Sequence, residues 1–343
     1  MKLNQRKLKV LEAVVEDHIA TAEPVSSRTI ARKYKLGVSP ATIRNEMADL
    51  EEAGLIEQPH TSAGRIPSQK GYRYYVDRLM RKGHLTDREK SLITSIFAQQ
   101  ARQLVEIIQR TIKIVSQCTD YLVFLSGPQL ENAALHKIRF VLLAPGKAML
   151  VIVSENGWVE NKLIDLPVTV SQEELEQVER VFNEYFRGLT FNQITRAILE
   201  NVYGELSRQR ALIDLALDII EFVLKQESDD ALYLGGTRNI LKQPEYRDIQ
   251  QVRKLLDLIE EKSILKSVLD ETDDEGITVR IGKENRFDLM HNCSVVTATY
   301  KMGGNTVGAL GLLGPMRMNY ARAIAMVEFI TQTLSDVLTR TGV

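Results

Sequence analysis

Nine side chains in two short stretches have the types and spacing to grip a polyanion: Ser39, Thr42, Arg44 and Asn45, then His60, Thr61, Arg65, Lys70 and Arg73. Thr42, Arg44 and Asn45 are compact hydrogen-bonding groups of the kind that read base edges in a major groove, where bulky neighbours would hold a helix off the bases. Arg65, Lys70 and Arg73 are cations suited to phosphate oxygens, which fix register without reading sequence. His60, Thr61 and Arg65 could add contacts from a loop tip. Ser39 completes the set at the edge of the same surface.

The elements that must position these groups are written into the flanking sequence. Ser39 followed by Pro40 is an N-cap and first-turn pair, and Gly54 suits the left-handed residue that ends a helix. Leu50 and Leu55 stand where a Schellman cap places its apolar contact. Ile43, Met47 and Leu50 recur at helical spacing, which leaves Ala41, Thr42, Arg44, Asn45 and Ala48 on other faces. Upstream, Leu8, Leu11, Val14, Val15 and Ile19 share one face of a helix over residues 5–20. A second helix opens at Ser26 or Ser27, with Ile30, Ala31 and Tyr34 inward. The short turn Lys35 to Val38 then delivers the chain to the 39–54 helix, a helix-turn-helix order. Leu55 to Gln58 and Arg65 to Pro67 read as a hairpin with residues 59–64 as its tip, and Ser68 to Met80 as a further helix. Tyr72, Tyr74 and Tyr75 interleave there with Lys70, Arg73 and Arg78. An ordinary amphipathic helix and merely solvating charges would explain each feature singly; together they favour a nucleic-acid surface.

Charge agrees. Of 343 residues with a net charge of -1, the first 83 hold 15 Lys+Arg against 10 Asp+Glu, so the rest of the chain is acidic. Residues 60–82 contain six cations and one acid.

The run Ser39-Pro40-Ala41-Thr42-Ile43-Arg44-Asn45-Glu46-Met47-Ala48-Asp49-Leu50-Glu51, with Pro59 to Pro67 and Gly71-Tyr72-Arg73, closely resembles the heat-inducible transcription repressor HrcA family. Ser26-Ser27 departs from a more glycine-rich step. The resemblance implies a homodimeric repressor of chaperone operons that binds an inverted-repeat operator and depends on the chaperonin GroEL. It also implies an N-terminal winged helix-turn-helix followed by a GAF-like α+β domain, interrupted by a mainly helical dimerisation insert.

The remaining sequence is divided accordingly: a winged domain over 1–83, the GAF-like domain over 84–170 and 241–343, and the insert over 171–240. Gly83-His84-Leu85 is expected as a linker. Thr86 to Glu89 and Ser171 to Glu174 match capping boxes. A long helix is expected from Thr86 to about Gln117. Strands are expected near 121–125, 138–143, 148–153, 158–166, 231–236, 277–281, 294–301 and 306–313, with Trp158 as a strand anchor. Three helices, broken near Gly188 and Gly204, are expected over 171–228, helices return over 247–269, and a last one contains Tyr320 to Leu338. Phe182, Tyr185, Phe186, Phe222 and Val223 exceed what a small helical appendage hides, so the insert is expected to meet a second copy.

Other chemistry finds no pattern. The five histidines, 18, 60, 84, 136 and 291, have no ligand spacing, so no metal is expected, and no cofactor. Cys118 and Cys293 read as buried small hydrophobes of a reducing cytoplasm. Gly308, Gly311 and Gly314 do not match a phosphate loop and read as strand and turn glycines. Asn292-Cys293-Ser294 is a glycosylation sequon only in an exported chain. No apolar leader or run long enough to span a bilayer stands out. An enzyme of the biotin-ligase type would carry a Gly-Arg-rich loop that is missing, so no catalysis is expected. The alternative is a ligand-gated regulator sensing a small molecule through the GAF-like body, discriminated by a metabolite co-purifying with native protein.

Overall fold

The computed structural model describes residues 3–60, 63–98, 104–127, 134–155, 159–168, 170–190, 193–206, 213, 232–273 and 276–341. Three helices open the chain: α1 (Gln5–Thr21), α2 (Ser27–Lys33) and α3 (Pro40–Glu52). Asn4, Ser26 and Ser39 cap them, each side chain accepting from the backbone N–H three residues on. Leu11, Val14, Ile30, Ile43 and Leu50 are wholly buried between them. At the end of α3, Leu55 N–H donates to Leu50 O (2.9 Å) and Gly54 N–H to Glu51 O (2.8 Å), with Gly54 at φ 72°, the Schellman geometry expected.

Strands β1 (Ile56–Glu57) and β2 (Ile66–Pro67) pair antiparallel. Val25 and Arg65 exchange two backbone hydrogen bonds of 2.9 Å, which extends this small sheet to the turn before α2. Helix α4 (Gln69–Tyr74) follows, capped by Ser68, and the helix expected to run to Met80 instead loosens into a π turn over Tyr75–Leu79. Gly71 explains a close approach: a Cβ there would lie 2.0 Å from the Leu55 carbonyl oxygen.

The expected linker is packed, not slack. Leu85 is buried, and a Cβ on Gly83 would lie 2.2 Å from Ala321 O. Thr86 and Glu89 form the expected capping box ahead of α5 (Asp87–Ala98). A further helix, α6 (Leu104–Thr119), leads to β3 (Leu122–Ser126). Strand β3 lies inside a five-stranded antiparallel sheet in the order 232–235, 122–126, 305–315, 293–302, 277–281. Both faces are covered. Val123, Leu125, Val296 and Leu310 pack with α5, α6 and the C-terminal helix Tyr320–Thr341, while Leu122, Phe124, Val295 and Leu313 pack with helices Ile249–Glu260 and Lys262–Asp270. That is why β3 is apolar without alternation. Gly308, Gly311 and Gly314 all lie in strand 305–315, and Gly311 faces the Phe124 ring so closely that a Cβ would meet it at 2.3 Å.

The largest departure from expectation concerns β4 (Leu135–Ala144), β5 (Lys147–Ser154) and β6 (Val159–Asp165). The sequence places residues up to 170 in the GAF-like body, yet these strands form a separate antiparallel sheet. Their core is shared with α7 (Gln172–Phe186) and α8 (Arg196–Glu205), so sheet and helices make one unit. Asn183 fastens it: its Oδ1 accepts from Ile138 N–H (2.7 Å) and its Nδ2 donates to Ile138 O (2.8 Å), satisfying the free edge of β4. The aromatics expected to be exposed are inside this core. Phe182 and Phe186 pack at 5.0 Å between centroids with their rings tilted by 46° and are buried, because the sheet above them supplies the cover that helices alone would lack. Phe222, Val223 and Trp158 lie outside the described residues. Exposed apolar side chains occur on the opposite sheet face, where Val141, Met149 and Leu163 are directly paired across the three strands and Val141 and Leu163 are 44% and 55% exposed.

Candidate nucleic-acid interface

The surface begins with how α3 disposes of its acids. Glu46 approaches Arg6 (3.5 Å), Asp49 pairs with Lys7 (2.9 Å) and Glu51 with Arg65 (2.9 Å), so Arg6 and Lys7 of α1 and Arg65, just before β2, neutralise three of the helix's four carboxylates; the fourth, Glu52, is exposed two turns beyond Asn45. Arg44 and Asn45 are exposed and have no hydrogen-bond or ion-pair partner among the described residues. Exposed Ala41 and Ala48 flank them, which keeps the face flat. Thr42 is half-buried; its N–H donates to Ser39 Oγ (3.1 Å), and the two hydroxyls lie 3.0 Å apart. Ser39 thus positions the first turn and holds Thr42 in place.

A second set that sequence reasoning passed over lies next to it. Arg28 and Arg32 of α2 and Lys35 of the following turn are exposed, with no ion-pair partner among the described residues. With Arg44 they make a run of uncompensated cations on the α2-turn-α3 segment. The signal was present as the basic character of residues 28–35, masked because Lys33, in the same stretch, is spent on Asp17 (2.5 Å).

The hairpin and α4 cations divide. His60 is exposed beside the tip, where its carbonyl accepts from Ala63 N–H (2.8 Å), and Thr61 lies outside the described residues. Arg65 is directed inward: Nε and Nη2 both reach Glu51 Oε2 at 2.9 Å, which ties the hairpin to the end of α3. Lys70 Nζ donates to Ala53 O (3.1 Å), a cation on the C-terminal end of α3, about 13 Å along the axis from Arg44. Arg73 is engaged by the body. Its guanidinium is held by Glu284, Asp77 and the Val279 carbonyl, and the Glu284 bond foremost raises its pKa above the usual arginine value. In place of the expected phosphate contact, Arg73 therefore has a role at the junction with the body: Glu284, Asp77 and the Val279 carbonyl take four of its five N–H donors, and the two carboxylates balance its charge.

No group of His, Cys, Asp and Glu among the described residues could hold a metal ion. No described helix is long and apolar enough to cross a membrane.

Comparison with known proteins bears on what this surface serves. A family model described as the HrcA protein C terminal domain matches residues 105–324. The heat-inducible transcription repressor HrcA of Pelotomaculum thermopropionicum is 47% identical over 341 residues, covering 99% of this chain and 98% of that one. The chain belongs to the HrcA family of heat-inducible transcription repressors. Another HrcA, from Desulfitobacterium hafniense, is 45% identical over 341 residues, covering 99% of both chains. A crystal structure of a protein described as hypothetical matches with a TM-score of 0.65 and 24% identity over 99% of this chain and 100% of that one, a likeness of fold. The family model begins after the α2-turn-α3 segment, so it is the full-length HrcA relatives that carry the resemblance into residues 1–83.

Proposed function

We propose that the chain is a DNA-binding repressor whose α1–α4 unit is a winged helix, with α3 entering the major groove of a palindromic operator. The observation that carries this reading is that Arg44 and Asn45 stand exposed and unpaired on α3 while the neighbouring acids Glu46, Asp49 and Glu51 are each neutralised by a cation of α1 or of the hairpin. Thr42, Arg44 and Asn45 read bases, His60 and Thr61 add hairpin-tip contacts, and Arg28, Arg32 and Lys35 meet phosphates. Ser39 orients Thr42.

The body, read as GAF-like, and its insert serve to pair two such units. The row Val141, Met149 and Leu163 supports a second copy as occupant of the insert's open sheet face. Once one unit is bound, its tethered twin sees the other half-site at an effective concentration near millimolar, which raises affinity by roughly 10² to 10⁴. Repression follows from occupying the promoter. Dependence on GroEL is part of the proposal, supported by a chain whose five-stranded sheet joins strands on both sides of the insert, a non-local pairing that folds slowly and exposes traps.

Footprinting with the full chain tests the reading: protection of an inverted repeat upstream of chaperone genes is expected, and unstructured, sequence-independent coating would overturn it. Refolding with chaperonin and ATP should raise the fraction competent to bind that site; equal fractions with and without it would remove the chaperonin from the scheme.

A further inference from the structure

Where the N-terminal unit rests on the body there is a cleft of about 420 Å³, within the size range of small-molecule sites. One wall comes from the N-terminal unit, with His18, Pro67 and Tyr72, and the other from the body, with Tyr246, Leu255 and Met316. Its polar depth is already satisfied. Arg317 is held by Glu245, Gln243 Oε1 (2.8 Å) and Ile19 O (3.1 Å), and His18 Nδ1 bonds the Tyr72 hydroxyl (2.6 Å). Three lining charges are different. Glu57 and Asp248 have no cationic partner, and Lys254 no anionic one, within ion-pair distance among the described residues.

Asp248 caps helix 249–260 by accepting from Gln250 N–H (2.9 Å) but keeps its charge uncompensated, so an apolar floor ringed by two carboxylates without a cation and one ammonium without an anion matches a ligand carrying both signs and an apolar body. We propose that this cleft binds a small amphipathic zwitterion, an apolar amino acid or dipeptide, with its ammonium toward Glu57 and Asp248, its carboxylate toward Lys254 and its side chain against Tyr246, Leu255 and Met316. Since the walls belong to two different units, the ligand binds only their docked arrangement and holds it in place by mass action. Ligand binding stands apart from the DNA reading and is measured without DNA.

Calorimetric titration of the full chain uses L-tryptophan and phenylalanyl-leucine as probes and N-acetyl-tryptophanamide, which lacks both charges, as control. One saturable site per chain is expected for at least one zwitterionic probe and none for the control. Lys254→Met and Glu57→Gln, both at exposed positions, should each weaken binding by about tenfold or more. Arg73→Ala, which lies outside the cleft but loosens the docking, should weaken it in proportion to the lost docked population. Absence of saturable binding by both probes at millimolar concentration, or binding untouched by Lys254→Met and Glu57→Gln, overturns the site; binding lost with those two but unchanged in Arg73→Ala overturns its bridging role.

Discussion

Arg73 Nε donates to Glu284 Oε1 at 3.0 Å across a sequence separation of 211 residues, and its Nη2 reaches the Val279 carbonyl at 2.6 Å. This pair ties α4 to the edge strand 277–281 of the large sheet. Nearby, Lys283 N–H donates to Gln69 Oε1 (3.0 Å), and the Tyr72 ring packs against that of Tyr320 at 6.0 Å between centroids, tilted by 53°. The orientation of α3 is therefore set by the body.

That placement separates two roles for Arg73. As a phosphate ligand its removal would lower the salt slope of DNA binding by about one. As a junction residue, Arg73→Ala should leave the slope unchanged and lower the thermal stability of the full chain. Binding measured between low and moderate salt, beside a melting curve, decides between them.

Arg44→Ala and Asn45→Ala should each cost on the order of 1–3 kcal/mol of operator affinity and relax one operator position, without moving the melting temperature, because neither side chain has an internal partner. Arg65→Ala should behave differently. It strips Glu51 of its partner and loosens the hairpin, so stability and affinity should fall together. A panel of single-base operator variants against each mutant is the measurement; unchanged specificity for Asn45→Ala would take that residue off the reading face.

Gly71→Ala should destabilise the N-terminal unit by roughly 1–3 kcal/mol, since the new methyl would need space already occupied by Leu55 O at 2.0 Å and backbone must move. Denaturant titration of the full chain reads this as a lower midpoint for the transition reported by this unit.

His18 supplies a pH dependence. Burial, and then the neighbouring Arg317, push its pKa down from 6.5 to about 4. The unfolded chain therefore binds a proton at this position that the folded one refuses, so stability is complete above about pH 6.5 and declines as pH falls toward 4, by on the order of 2–3 kcal/mol across that window. His18→Gln should flatten that part of the stability curve. A variant curve parallel to the wild type between pH 6.5 and 4 would assign the acid sensitivity to other groups.

Val141→Asp combined with Leu163→Asp should convert a dimer to monomers and reduce operator affinity while leaving the insert folded, since both side chains point away from its core. Sedimentation at operator-saturating concentration is the check. A dimer that survives both substitutions would place the interface elsewhere.

Much of the N-terminal unit was legible because its signals are local. Ser39, Pro40 and Gly54 act within one turn of their own positions, and the Ile43, Met47 and Leu50 stripe needs only helical geometry to face inward. Strand positions in the remainder, and helix positions among the described residues, followed for the same reason. The helix expected over 207–228 and the continuity expected across 99–103 lie outside the described residues apart from residue 213. What sequence could not assign was membership. Strands 135–165 have the same apolar alternation whether they join the large sheet or make their own, and nothing local distinguishes the two; the choice was made by α7, whose Asn183, Phe182 and Phe186 offer an edge and a floor that fit only β4. Cations were ambiguous in the same way. Arg44, Arg65, Lys70 and Arg73 are alike as letters in a basic stretch, and only tertiary packing, which sets Glu51 beside Arg65, the end of α3 beside Lys70 and Glu284 beside Arg73, leaves Arg44 unpaired. A charge declares its role through the partner it meets, and for most of these residues that partner lies far away in sequence.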